Sequence, residues 1–156
     1  LYSSAASDVY KRQAWFCIQE INIGMTADVG TLQRLPKLVP EGVVRELAYT
    51  GRRMSAQRAY EVGLVNQIFE THEELVQGVL DIANEIATKS PLAIWGTKES
   101  VNYARDHSVA DSLNFIATWQ AGMFQPKDMA AAFEAQANNE DPDFDDLPAM
   151  RKGLGS

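Results

Sequence analysis

The second half of the 156-residue chain carries apolar side chains at helical spacing, preceded by helix-start signals. The signals are Thr71, which opens a Thr-His-Glu-Glu capping box, Ser90, which precedes a proline, and Ser108. A hydroxyl group at such a position accepts a backbone N–H bond that the first helical turn cannot make internally. A further helix is predicted over residues 127–138, so the region 70–147 is predicted to be almost entirely helical.

The first half has shorter apolar runs, separated by glycine and proline residues that interrupt regular structure. Two runs rich in aromatic and aliphatic side chains predict short strands at residues 14–18 and 64–69. Short helices are predicted between them, over residues 31–39, 41–49 and 56–62, and Gly51 is predicted to end the second of these. The first half is therefore predicted to combine one or two strands with short helices and turns.

The composition narrows the class of protein. The 21 acidic residues and the 14 Lys and Arg give a net charge of −7, which argues against a nucleic-acid partner. No apolar run approaches the ~20 residues of a membrane span, so no membrane role is expected. The single cysteine, Cys17, cannot form a disulfide within the chain.

Both ends of the chain are predicted to lie outside the functional domain. Residues 1–13 have no clear helical or strand period, and residues 8–13 look like the translation of a sequencing adapter. A signal peptide would need an apolar core between a basic start and a cleavage site, which this segment lacks. The segment is therefore predicted to be a non-native leader, and residues 148–156 to be a tail. The acidic run 140–146 lacks the spacing of a calcium loop and is predicted to be solvated.

Few residues can carry metal or nucleophile chemistry. The two histidines, His72 and His107, are far apart in sequence, and Cys17 lies in a predicted apolar strand, where a thiol is usually inert. The glycines form no phosphate-binding or dinucleotide motif. We therefore expect no metal site, and the sequence assigns no residue to cofactor binding.

One pair of carboxylates has a chemically useful arrangement. Glu20 and Asp28 lie on the loop after the first predicted strand, and Gly24 between them allows the loop to fold back. Two carboxyl groups, one ionised and one protonated, can remove a proton at one substrate position and deliver one at another. A structural alternative stays open, in which Asp28 caps the next helix and Glu20 is an ordinary loop acid.

Several segments resemble landmarks of the enoyl-CoA hydratase/isomerase (crotonase) superfamily. The sequence AWFCIQE at 14–20, with GTLQRLPK at 30–37, is similar to the second catalytic segment of that superfamily. TGRRMSA at 50–56 and SPLA at 90–93 look like two later landmarks. The resemblance implies the C-terminal half of a crotonase-type α/β fold. The end of its core would be residues 14–69, followed by a C-terminal helical region over 70–147.

The resemblance also implies roles for the two carboxylates. Glu20 matches the glutamate that serves as a catalytic acid or base in hydratases and in dienoyl-CoA isomerases. Asp28 matches the second catalytic carboxylate of the dienoyl-CoA isomerases, where typical hydratases have glycine. The segment MTADVGTLQRLP at 25–36 looks like the same subfamily. By this analogy, Asp28 removes the C2 proton of a 3,5-dienoyl-CoA and Glu20 delivers a proton at C6.

The resemblance implies one expected function, and two alternatives stay open. The expected function is isomerisation of 3,5-dienoyl-CoA to 2,4-dienoyl-CoA in fatty-acid degradation, on a coenzyme A thioester and without a metal or redox cofactor. The alternatives are hydration of 2-enoyl-CoA and a non-catalytic helical association module. The resemblance further implies that the chain is an N-terminally truncated fragment of a homotrimeric or hexameric protein. The compartment would be the cytoplasm in bacteria, or mitochondria or peroxisomes in eukaryotes.

Overall fold

The computed structural model describes the backbone of residues 9–11 and all of residues 14–147. The strands are β1 (Val9–Lys11), β2 (Trp15–Phe16), β3 (Met54–Ser55) and β4 (Gln67–Phe69). The helices are α1 (Thr31–Arg34), α2 (Glu41–Thr50), α3 (Ala56–Glu61), α4 (His72–Ala87), α5 (Pro91–Ala104), α6 (Val109–Met123) and α7 (Pro126–Asn138). Short 3₁₀ helices lie at Glu20–Ile23 and Leu35–Lys37. Most of the predicted leader and all of the predicted tail fall outside the described residues, so both interpretations stay predictions.

The strands form two small pairs. β1 pairs in parallel with β4, and β2 pairs antiparallel with β3, with Phe16 opposite Met54. The strands predicted at 14–18 and 64–69 are present as β2 and β4, each shorter than expected. The sequence predicts neither β1, which lies in the predicted leader, nor β3, whose two residues belong to no apolar run.

The helix-start signals are confirmed by their hydrogen bonds. The hydroxyl oxygens of Ser90 and Ser108 each accept a bond from the backbone N–H three residues later, at 3.3 and 3.1 Å. Thr71 and Glu74 form the predicted capping box, because each side chain accepts the backbone N–H of the other, at 3.1 and 3.2 Å. The sequence predicts these caps correctly because the donor and the acceptor of each bond lie within one helical turn of each other.

A buried cluster stabilises the first compact unit of the chain, Leu1–Ala83. Its members come from several short elements and loops: Ile18, Ala27, Leu47, Met54, Ala59 and Val65. Ile18 lies two residues before Glu20, and Ala27 immediately precedes Asp28. The core therefore fixes both ends of the loop that bears the two carboxylates.

Residues Asn84–Ser156 form a second compact unit, in which α5 packs against α6. Trp95 on α5 meets Trp119 on α6 edge to face, with ring centroids 5.0 Å apart. Gly96 is buried in the middle of α5, where a Cβ atom would lie 2.5 Å from the indole Nε1 of Trp119. The close approach of the two helices at this point therefore depends on a residue without a side chain.

We expect Gly96→Ala to destabilise this unit, although alanine normally stabilises a helix by roughly 0.5–1 kcal/mol relative to glycine. The Trp119 ring is packed against Trp95, so relieving the overlap should cost about 1–3 kcal/mol and outweigh the helix propensity. Gly122 in α6 is the matched control, because a Cβ atom there meets nothing within 4 Å. Thermal unfolding should show a lower Tm for Gly96→Ala and an unchanged or higher Tm for Gly122→Ala. Equal shifts for both variants would contradict the packing argument.

Candidate active site

Glu20 begins a 3₁₀ turn that reverses the chain after β2. The turn spans Glu20–Ile23 and ends at Gly24, whose φ of +77° lies in the left-handed region that favours glycine. The backbone N–H of Met25 then donates to the carbonyl of Glu20 at 2.9 Å. The side chain of Glu20 is half-buried, and within the described part of the chain its carboxylate makes no hydrogen bond or ion pair. The predicted fold-back at Gly24 is therefore present, and it leaves this carboxylate without a structural partner.

Asp28 lies at the other end of the loop, and its side chain is exposed. The structural alternative, in which Asp28 caps the next helix, is wrong: α1 begins at Thr31, its N-cap residue is Gly30, and no side chain caps it. The local geometry is instead held by Arg34, whose guanidinium Nη1 donates to the carbonyl of Val29 at 3.1 Å. Among the residues the structure describes, the carboxylate of Asp28 has no hydrogen-bonding or ionic partner. The structure therefore gives Asp28 no role as a helix cap, which was the main argument for a purely structural function of the loop.

Both carboxylates belong to a loop that is tied to the end of α2. Asn22, in the turn that carries Glu20, donates from Nδ2 to the carbonyl of Gly51 at 2.9 Å. The Sγ of Cys17 donates to the same carbonyl at 3.1 Å. Gly51 ends α2 with a φ of +58°, and a Cβ atom on it would lie 2.6 Å from the side-chain Cγ of Asn22. The sequence predicts Gly51 as a helix terminator but gives no sign of the contact with Asn22, because the acceptor is a backbone atom.

An apolar cavity of about 470 Å³ lies between this loop and α2. The side chains that line it include Ile18, Ile21, Met25, Ala27, Leu32, Val44 and Ala48. Ile21 and Met25 come from the segment that separates the two carboxylates, so the cavity and the loop share a wall. Ile23 and Val29, by contrast, are 66% and 74% exposed.

Charged groups occur at one side of this cavity. Arg45 on α2 donates from Nε to Glu41 at 2.7 Å and from Nη1 to the hydroxyl of Tyr49 at 2.7 Å. The hydrogen bond with Glu41, followed by that with Tyr49, raises the pKa of Arg45 above its ordinary value. The guanidinium is exposed and stays charged, so it adds polarity to the rim of a mostly apolar space.

No metal centre is found in the part of the chain that the structure describes, since no three His, Cys, Asp or Glu side chains there could hold one ion. Within the same residues, no helix has both the length and the apolar character of a membrane span.

Comparison with known proteins supports the family resemblance. The sequence matches the family described as Enoyl-CoA hydratase/isomerase over residues 4–147, a range that includes part of the predicted leader. The structure is similar to that of an enoyl-CoA hydratase from Bacillus anthracis, with a TM-score of 0.82, 29% identity and coverage of 87% of this chain and 52% of that one. An enoyl-CoA hydratase from Mycobacterium marinum gives a TM-score of 0.80, 29% identity and coverage of 88% and 56%. The chain belongs to the enoyl-CoA hydratase/isomerase family, and the predicted crotonase-type fold, mostly helical in this part, is confirmed.

Within this family the chain is similar to proteins named Delta(3,5)-Delta(2,4)-dienoyl-CoA isomerase. The mitochondrial protein of Homo sapiens is 43% identical over 131 residues, covering 83% of this chain and 40% of the human sequence. The peroxisomal protein of Arabidopsis thaliana is 42% identical over 131 residues, covering 84% of this chain and 47% of the plant sequence. The chain thus spans less than half the length of these relatives. The term parent protein is used below for the full-length family member to which the proposals on activity, substrate and assembly refer.

Proposed function

We propose that the parent protein isomerises 3,5-dienoyl-CoA to 2,4-dienoyl-CoA by proton transfer between Asp28, Glu20 and the substrate. The observation that carries this proposal is the loop itself. Its two ends are fixed by the core, and each end bears a carboxylate that serves no local structural purpose in the described residues. The names of the human and Arabidopsis relatives support the same reaction.

The proposed reaction moves two protons and two double bonds. Asp28 in its ionised form removes a proton from C2, which is acidic because the thioester carbonyl can carry the negative charge that develops. The electron pair left at C2 forms the C2=C3 bond, the C3=C4 pair moves to C4=C5, and the C5=C6 pair takes a proton at C6 from Glu20 in its protonated form. The substrate and product are isomers, so no electron acceptor is required. We accordingly propose no metal or redox cofactor.

The surroundings of the loop suit a fatty acyl substrate. The apolar cavity shares Ile21 and Met25 with the segment between the carboxylates, and it can accept hydrocarbon that lies close to them. The named relatives are mitochondrial and peroxisomal. We propose a role in fatty-acid degradation and a homotrimeric or hexameric parent protein, in one of these compartments in a eukaryote or in the cytoplasm of a bacterium.

The test is to offer the parent protein 3,5-dienoyl-CoA and 2-enoyl-CoA in separate assays. Isomerisation is followed by the rise in ultraviolet absorbance of the conjugated 2,4-dienoyl thioester, and hydration by the loss of the enoyl absorbance. We expect isomerisation to have the higher kcat/KM. Hydration without isomerisation would show that the parent protein is a hydratase, the second candidate that the similarity to solved hydratases favours.

A non-catalytic association module would process neither substrate. Under that alternative the parent protein would self-associate with or without the two carboxylates. The same pair of assays therefore separates all three functions.

A further inference from the structure

We infer that Asn22 is a positioning residue, which holds the carboxylate of Glu20 in place by clamping its turn to the end of α2. This inference rests on the proposed function of Glu20. Asn22 lies two residues after Glu20 in the same 3₁₀ turn, and its Nδ2 donates to the carbonyl of Gly51 at 2.9 Å. The same group donates to the side-chain Oε1 of Gln19 at 3.1 Å. One amide thus connects both sides of Glu20 to a fixed point.

That fixed point is rigid because Gly51 is part of the helix end. Its backbone N–H donates to the carbonyl of Leu47 at 2.9 Å, and Leu47 is a member of the buried core. The side chain of Asn22 lies directly against the Cα of Gly51, because a Cβ atom at residue 51 would come within 2.6 Å of the Cγ of Asn22. The clamp therefore joins the turn to a helix end that is bonded to the buried core.

Other contacts hold the turn only weakly. The backbone N–H groups of Asn22, Gly24 and Met25 donate to carbonyls within residues 19–21, so these bonds shape the turn without attaching it to α2. Ile23 is 66% exposed, and Ile21 is 42% exposed where it lines the cavity beside α2, so apolar packing fixes the turn only in part. Cys17 bonds the same carbonyl, but a thiol is a weak donor with a single proton. Among the described residues, the amide of Asn22 therefore makes the stronger of the two hydrogen bonds that attach this segment to the end of α2.

Loss of this link should affect the rate of proton transfer more than substrate binding. A general acid must lie within hydrogen-bond reach of its substrate atom, and a displacement near 1 Å can cost about a hundredfold in rate. In the parent protein we expect Asn22→Ala to lower kcat about ten- to a hundredfold and to leave KM within about twofold. Hydrogen exchange at the backbone amides of residues 22–25 should become faster in the same variant, while α5 keeps its protection.

Ser90→Ala is the control for general destabilisation. Ser90 is buried in the second unit, where its hydroxyl donates to Asp128 at 2.6 Å and caps α5. This variant should lower Tm and leave kcat unchanged. The inference is overturned if Asn22→Ala keeps the wild-type kcat, or if both variants lower kcat in proportion to their loss of Tm.

If the proposed isomerase function is wrong, the assay of the unmodified parent protein shows it, independently of the Asn22 variant. The unmodified parent protein would then lack isomerisation, and the Asn22→Ala comparison would be made on hydration of 2-enoyl-CoA. Glu20 matches the proton-transferring glutamate in that reaction too, so the expected fall in kcat is the same.

Discussion

Asp28→Asn is expected to lower kcat for isomerisation of 3,5-dienoyl-CoA by the parent protein about 10²- to 10⁴-fold. An amide cannot accept the C2 proton, and no other group of the loop replaces it. The fold should be unaffected, because the side chain is exposed and has no hydrogen-bonding partner among the described residues. Glu20→Gln should lower kcat by a similar factor, since an amide cannot deliver the proton to C6.

The two variants should differ in a second measurement, hydrogen exchange at C2 of the substrate in D₂O. Glu20→Gln keeps the proposed base, so C2 should still exchange although no product forms. Asp28→Asn should lose this exchange together with turnover. Exchange in Asp28→Asn and none in Glu20→Gln would mean that the two roles are reversed. Glu73→Gln, an exposed acid in the first turn of α4, is the matched control and should retain wild-type kcat.

Leu47→Ala should have the largest effect on stability, a loss of about 2–5 kcal/mol in the free energy of unfolding. Leu47 is 6% exposed and belongs to the cluster that also contains Ile18 and Ala27. Truncation removes apolar contacts and leaves a cavity that neighbouring side chains fill only in part. Urea unfolding followed by circular dichroism measures the change.

Leu80→Ala is the control for this core prediction. Leu80 lies on α4 in the same compact unit and is 51% exposed, so its truncation should cost less than about 1 kcal/mol. Equal losses for the two leucines would show that the cluster around Leu47 does not stabilise the unit.

The sequence predicts those parts of the fold whose determinants are local. The capping serines, the Thr71–Glu74 box and the glycine at the end of α2 are read correctly, because each bond closes within a few residues. β1 cannot be found in this way, because its partner β4 lies more than fifty residues later and neither strand exceeds three residues. Pairing of this kind depends on tertiary structure rather than on apolar period.

The candidate site also has residues that the sequence identifies and a residue that it does not. Glu20 and Asp28 are identified by a resemblance that includes the spacing between them, and the structure gives neither a structural role among the described residues. The capping interpretation of Asp28 is wrong because Gly30, in the left-handed region, serves as the N-cap and α1 starts one residue later. Asn22 could not be found from the sequence, since its partner is a backbone carbonyl 29 residues away and leaves no side-chain signal.

The hydrogen bond from Cys17 to Gly51 has a practical consequence. Cys17 is the single cysteine of the chain, is partly buried, and shares its acceptor with Asn22. A thiol must leave such a bond and lose its proton before an alkylating reagent can attack it. In this chain the rate of alkylation therefore reports how often the segment between β2 and Glu20 separates from the end of α2, and it does so without an introduced label.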